Sequence, residues 1–197
     1  MKKTNKLISK FIILILLLIF IPKKITVKGE YINPETEFRA VWISNFVNDV
    51  SSYTTEANFK SEMTNVFNIM EHYNLNAMIF HIRTHNNAMY DSDLNPVSSW
   101  WSNVNFATFD PLEWLIAEAH KRGIEFHAWM NPYRVLSTRY GESLPASNPA
   151  NNPDNLLTYN GNSILDPGLP LVREFLVDTV LEVIEKYDVD AIHFDDY

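Results

Sequence analysis

The period of the hydrophobic positions changes several times along the chain, and each change marks an element. FRAVWIS (38–44) is β-branched and aromatic and predicts a strand. Over 54–73, Phe59, Met63, Val66, Phe67 and Met70 recur at helical spacing, with Thr54 or Thr55 placed to cap the start. NAMIFHIR (76–83) is a second strand, followed by a polar loop. DPLEWLIAEAHKRG (110–123) predicts a helix with both ends marked. Asp110 is its N-cap, Pro111 and Glu113 occupy the first turn, Lys121 and Arg122 the last, and Gly123 is the stop. IEFHAWM (124–130) is a third strand, and a long loop rich in Pro and Asn runs from 131 to 170. Val172, Phe175, Leu176, Thr179, Val180, Val183, Ile184 and Tyr187 then trace one face of a helix, before a fourth strand, VDAIHFDDY (189–197).

Strands alternating with helices predict an α/β fold with parallel βαβ units. Long polar connections follow the strands and short ones follow the helices. That asymmetry predicts a (β/α)8 TIM barrel with its function at the C-terminal strand ends. A doubly wound sheet would usually open with a Gly-rich turn, and ISNFVND has none. A whole barrel takes about 250 residues. Residues 30–197 are therefore expected to supply roughly the first four β/α units, the N-terminal half of a truncated barrel, with the remaining half as partner. Alone, such a half is expected to be unstable and inactive, because its sheet edges and interior are open.

Residues 1–29 stand apart. Lys2, Lys3, Lys6 and Lys10 precede an apolar run, Phe11–Ile21, which predicts a signal peptide or an N-terminal anchor. Any membrane anchoring would run through residues 7–21 alone, and either reading makes the protein secreted or cell-surface. The segment holds seven lysines and no acid, so its removal takes the net charge from −8 to −15, nine Lys and Arg against 24 acids. A body this acidic excludes electrostatic binding of nucleic acid. Without cysteine there is no disulfide, thiolate metal site or thiol nucleophile.

The predicted strand ends hold Trp42 and Asn45, Arg83 and His85, Trp129, Asn131 and Tyr133, and Asp195 and Asp196. Carboxylates supply proton transfer or nucleophilic attack, flat aromatic faces suit sugar C–H surfaces, and glycoside hydrolysis needs two carboxyls. Alternation along a strand sends Asp195 and Asp196 to opposite faces. His193 shares a face with Asp195 and Phe194 with Asp196, which places Asp195 inward. Arg83 is expected to hold a carboxylate or a substrate hydroxyl, and His127 shares the face of Trp129. SSWW (98–101) is a candidate sugar-stacking wall or lid. His81 and His85 in HIRTH do not converge as metal ligands on a strand followed by a loop, so no metal or cofactor is expected.

DPLEWLIAEAHKRGIEFHAWMNPYRV (110–135), ILDPGLP (164–170) and YDVDAIHFDDY (187–197) together resemble the glycosyl-hydrolase-like 10 family of bacterial secreted proteins. FRAVWIS and the stretch from Asn76 to Trp100 fit the same pattern. The resemblance implies a TIM barrel that acts on or binds carbohydrate. By its likeness to the α-amylase-like clan, it also implies that Asp195 is a nucleophile whose acid partner ends a fifth strand beyond this chain. His81-Ile82-Arg83 stands where the family more usually has a Gln-Val-Arg-like triplet, so only the Arg carries over. Asp195 and Asp196 are thus the catalytic candidates, with Arg83, His127, Trp129, Asn131, Tyr133, Trp42 and His193 as substrate contacts. The predicted function is an exported hydrolase of a polysaccharide or cell-wall glycan. The alternatives are a non-catalytic carbohydrate-binding barrel and a metal-dependent polysaccharide deacetylase, the latter suggested by HFDDY.

Overall fold

Each predicted strand and helix forms among the described residues, its ends within a few residues of those expected. The computed structural model describes residues 37–45, 47–136 and 144–195. Residues 1–29 and Asp196 lie outside the described residues. β1 (Ala40–Ile43) leads to α1 (Glu56–His72), β2 (Ala77–Arg83), α2 (Pro111–Lys121) and β3 (Glu125–Met130). Three short strands follow, β4 (Arg134–Leu136), β5 (Leu156–Tyr159) and β6 (Asn162–Leu165), then α3 (Pro170–Lys186) and β7 (Ala191–Phe194). Among the described residues, no helix is long and apolar enough to cross a membrane.

The helix boundaries follow from local chemistry. Thr55 takes an extended backbone and its hydroxyl accepts the Asn58 N–H, which starts α1. Asp110 accepts from the N–H groups of Leu112 (2.8 Å) and Glu113 (3.2 Å), with Pro111 already holding the first helical φ. After α2 the backbone reverses through Gly123 at φ +68°, a value L side chains rarely adopt.

The main sheet has the order β1-β2-β3-β7, and every pairing in it is parallel. It is the partial α/β barrel that the strand–helix alternation predicts. Its outer face carries Met78, Phe80, Ile82, Phe126, Ala128 and Met130, each buried. They pack into one cluster with Phe59, Met63, Phe67 and Met70 of α1 and Leu112, Leu115, Ile116 and Ala119 of α2. The inner face carries Trp42, Ser44, His81, His127, Trp129 and His193, the polar and aromatic members of the same strands. Trp42 of β1 donates its indole N–H to Nε2 of His193 on β7, at 3.1 Å. On a flat sheet those strands would stand about 14 Å apart with parallel side chains. The bond therefore requires the sheet to curl into a trough, open toward its C-terminal end.

Two sequence readings are corrected here. The segment 131–170 is not one long loop: β4, β6 and β5 form a three-stranded antiparallel sheet. Its hairpin turns on Asn160 (φ 49°) and Gly161 (φ 78°), the positive-φ pair that an Asn-Gly turn between strands demands. SSWW is neither a wall nor a lid. Trp101 is fully buried, Trp100 nearly so, and Trp101 meets Phe59 edge-to-face at 5.8 Å.

The polar loop after β2 is tied down by α3. Glu182 accepts the Ser92 hydroxyl and the Asp93 N–H, both at 2.6 Å. The Tyr187 hydroxyl donates to Asp110 (2.7 Å) and accepts the Asp91 N–H. Burial, then the Asp110 carboxylate, pushes the Tyr187 hydroxyl far above its ordinary pKa, so it stays a donor.

At the other end of the strands, Asp190 accepts the Phe126 N–H at 2.7 Å and pairs with His120 Nε2 at 2.9 Å. Burial would raise the Asp190 pKa, but these bonds outweigh it and hold the group below its usual value. A lowered folded pKa contributes stability above the unfolded value, about 3.9, and that contribution fades as pH falls through the folded value. In the full chain, Asp190→Asn is expected to cost ~1 kcal/mol at pH 7, a hydrogen-bond-sized figure discounted because the side chain is 37% exposed. The gap from wild type should narrow as pH falls from 7 to below the unfolded value, about 3.9. Urea unfolding at both pH values checks it.

Candidate active site

Parallel register stacks the inner side chains in layers. Trp42 pairs with Ile79, and Ile79 with His127; one step toward the C-terminal ends, His81 pairs with Trp129, and Trp129 with His193. His81 and Trp129 lie face to face, centroids 3.8 Å apart and planes 7° off parallel. The His193 ring meets Trp129 edge-on at 6.2 Å. Because His193 Nε2 accepts from Trp42, its neutral ring carries the proton on Nδ1.

Above this layer opens a cavity of about 290 Å³ lined by Trp42, Ser44, Val47, Asp49, His81, Trp129, Asn131, Arg134 and Asp195. Asp195 enters directly after β7, its N–H donating to the Met130 carbonyl at 3.2 Å. Asp49 accepts the Ser44 N–H at 3.0 Å and returns its own N–H to the Ser44 carbonyl. The Ser44 hydroxyl lies 3.1 Å from His81 Nδ1. Burial, with help from His85 and Arg134, drives the His81 pKa down to about 3, so His81 is neutral at ordinary pH despite its hydrogen bond with Asn131. The indole N–H of Trp129 is buried and finds no hydrogen-bond partner among the described residues. The cavity thus combines two carboxylates, one guanidinium and aromatic walls.

Of the residues singled out in the sequence, Trp42, Trp129, Asn131 and Asp195 line this cavity, and His193 adjoins it through the two tryptophans. Asp196 lies outside the described residues. Three others are placed elsewhere. Arg83 is fully buried, because the register slips between His81 and Arg83 and turns its side chain out of the trough. There it donates to the carbonyls of Asn131 and Pro132 and to the amide oxygens of Asn86 and Asn95. Burial lowers its pKa to about 10, which still leaves it charged. His127 sits one layer below Trp129, stacked on Phe38 and bonded to Glu125 at 2.9 Å. Tyr133 faces the outer side, where it lines an apolar groove with Leu176, Val177, Val180 and Phe194.

Asp49 and Arg134 were missed. Asp49 is one polar residue among several in the turn after β1, and only its bond to Ser44 brings it inward. Arg134 opens β4, a strand not expected, where it pairs with Ile164 of β6. Alternation alone finds Ser44 and His81, two residues beyond Trp42 and two before Arg83.

Four parallel strands joined through three helices, with carboxylates and aromatic rings gathered at their C-terminal ends, define a partial α/β barrel. The chain belongs to the family described as Glycosyl hydrolase-like 10, whose profile matches residues 37–197. It is 34% identical over 170 residues to Glycosyl hydrolase YngK of Bacillus subtilis, covering 83% of this chain and 33% of that protein. It is 31% identical over 166 residues to Glycosyl hydrolase DigH of Escherichia coli, covering 76% and 37%. The chain therefore spans about a third of the length of the curated relatives it matches. Its fold is similar to that of a hypothetical protein from Ruminiclostridium thermocellum (TM-score 0.56, 12% identity, 79% of this chain and 75% of that one). It is also similar to alpha-L-fucosidase isoenzyme 2 from Paenibacillus thiaminolyticus (TM-score 0.51, 17% identity, 81% and 23%).

Arg83 and Arg134 make opposite predictions. Arg83→Met strands buried carbonyl and amide oxygens and is expected to cost the full chain at least ~3 kcal/mol. Arg134→Met, on the cavity wall, is expected to cost less than about 1 kcal/mol. Thermal unfolding of the two variants beside wild type separates them.

Proposed function

We propose that the protein is a glycoside hydrolase of a polysaccharide or cell-wall glycan, with Asp195 as the nucleophile. The observation that carries this reading is the position of Asp195: at the C-terminal end of the fourth parallel barrel strand, in a cavity walled by Trp42 and Trp129. In a retaining mechanism the Asp195 carboxylate attacks the anomeric carbon as the glycosidic C–O bond breaks, and a second carboxylic acid protonates the departing oxygen. Water then cleaves the glycosyl ester, with the second group acting as base. In a complete barrel that second group would end the strand that follows β7. The flat indole surfaces that suit sugar rings are provided here by Trp42 and Trp129.

With His81 neutral, the formal charges in the cavity are those of Asp49, Arg134 and Asp195. The names of the two relatives, both glycosyl hydrolases, support the reaction class. The basic and apolar segment at the N-terminus supports export.

The test is release of reducing ends from purified cell-wall glycan and from neutral polysaccharides by this chain within a complete barrel, the form that carries both carboxyls. Asp195→Asn is expected to lower turnover by at least ~10³-fold while the variant still binds the glycan. Equal turnover by wild type and variant would remove Asp195 from the chemistry. Binding without turnover by the wild type would point instead to the carbohydrate-binding barrel.

A further inference from the structure

The hairpin over the rim has two unlike faces. In the β5–β6 pair, Leu156 stands opposite Leu165, Leu157 opposite Ile164 and Tyr159 opposite Asn162. Cross-strand partners share a face, and alternate positions along a strand share it too. Leu156 and Leu165 therefore face one way, into the second core cluster with Val135, Ala150, Val172 and Phe175, where Leu165 is fully buried. Leu157, Tyr159, Asn162 and Ile164 face the other way. Solvent-facing positions of an antiparallel hairpin are ordinarily polar. Here Leu157 is 49% exposed, Tyr159 79% and Ile164 38%.

This outward face does not stand alone. Ile164 also pairs with Arg134 of β4, so Arg134 lies on the same face, and Arg134 is a wall of the cavity that holds Asp195. One surface thus runs from the cavity wall across β6 to the tip of the hairpin. Two strand spacings across and two residues along put Tyr159 about 12 Å from Arg134, backbone to backbone. The tight Asn160-Gly161 turn holds the tip, with Tyr159 immediately before it.

We propose that this face is an extended subsite for the glycan chain: a run of sugar residues leaving the cavity passes Arg134 and Ile164 and stacks its last contacted ring on Tyr159. The proposal rests on the glycan reading above. The surface offers what a sugar polymer takes, a flat aromatic ring, aliphatic ground and the Asn162 amide as hydrogen-bond donor and acceptor. Its continuity with the cavity selects the glycan proposed for that cavity over a separate partner.

The experiment compares the chain within a complete barrel with its Tyr159→Ser and Tyr159→Trp variants on purified cell-wall glycan and on tetrasaccharides cut from it. Tyr159→Ser is expected to lower the ratio of kcat/KM for long over short substrate by about 2- to 10-fold, through KM rather than kcat. Tyr159→Trp, which keeps a flat face, is expected to restore the ratio. An unchanged ratio overturns the proposal. So does loss of folding in Tyr159→Ser, which would show the ring packed inside the protein. If the wild type cleaves neither substrate, the catalytic reading fails by itself, and retention on insoluble cell-wall glycan decides the hairpin. Weaker retention of Tyr159→Ser supports the subsite, and equal retention overturns it.

Discussion

The Trp42–His193 hydrogen bond spans the inner face of four parallel strands, and the geometry of the cavity depends on the curl it records. Parallel strands in register bring like positions to the same height. Curling then turns a row of side chains into a ring segment whose members touch. Without the curl, His81, Trp129 and His193 would be three parallel side chains on a flat surface. With it, they form a floor, and Ser44, Asn131 and Asp195 rise around it. The outer face is apolar for the complementary reason, since it must be covered by helices.

Two arginines near the rim divide the work. Arg83 lies beneath the loops, its charge satisfied by carbonyl and amide oxygens alone among its hydrogen-bond partners. Asn86, itself at φ 56°, accepts from Arg83 and donates to Asn148 at 2.9 Å, linking the loop after β2 to the segment before the hairpin. The rim is thus held by a buried amide network whose failure would be felt at every loop edge. Arg134 rides on that foundation and faces the cavity. The chemistry on the strand ends is therefore only as well placed as the buried polar layer beneath the loops.

Much of the fold was legible because strands and helices with one buried face must repeat at 2 or 3.6 residues. Alternation also oriented Asp195 and His193 from a single comparison with Phe194. What escaped was set by irregularities that no period announces. The slip between His81 and Arg83 reverses the arginine, so a residue that ends a strand in the sequence does not end it facing the cleft. The small sheet escaped because its strands run only three or four residues, although Asn160-Gly161 was a visible hairpin mark. Trp100 and Trp101 looked like a binding wall because aromatic pairs suit both sugars and cores, and only the packing against Phe59 separates the two. Asp49 reached the cavity through a backbone contact that its neighbours in the sequence do not foreshadow.

The central claim is that Asp195 forms a bond to the sugar. Its most direct test is acid quench of the chain within a complete barrel during turnover of the glycan it cleaves, followed by peptide mass analysis. A peptide spanning Asp195 that is heavier by the glycosyl group is the predicted result. A glycosyl adduct on another carboxylate, or turnover with no adduct and an inverted product, would contradict it.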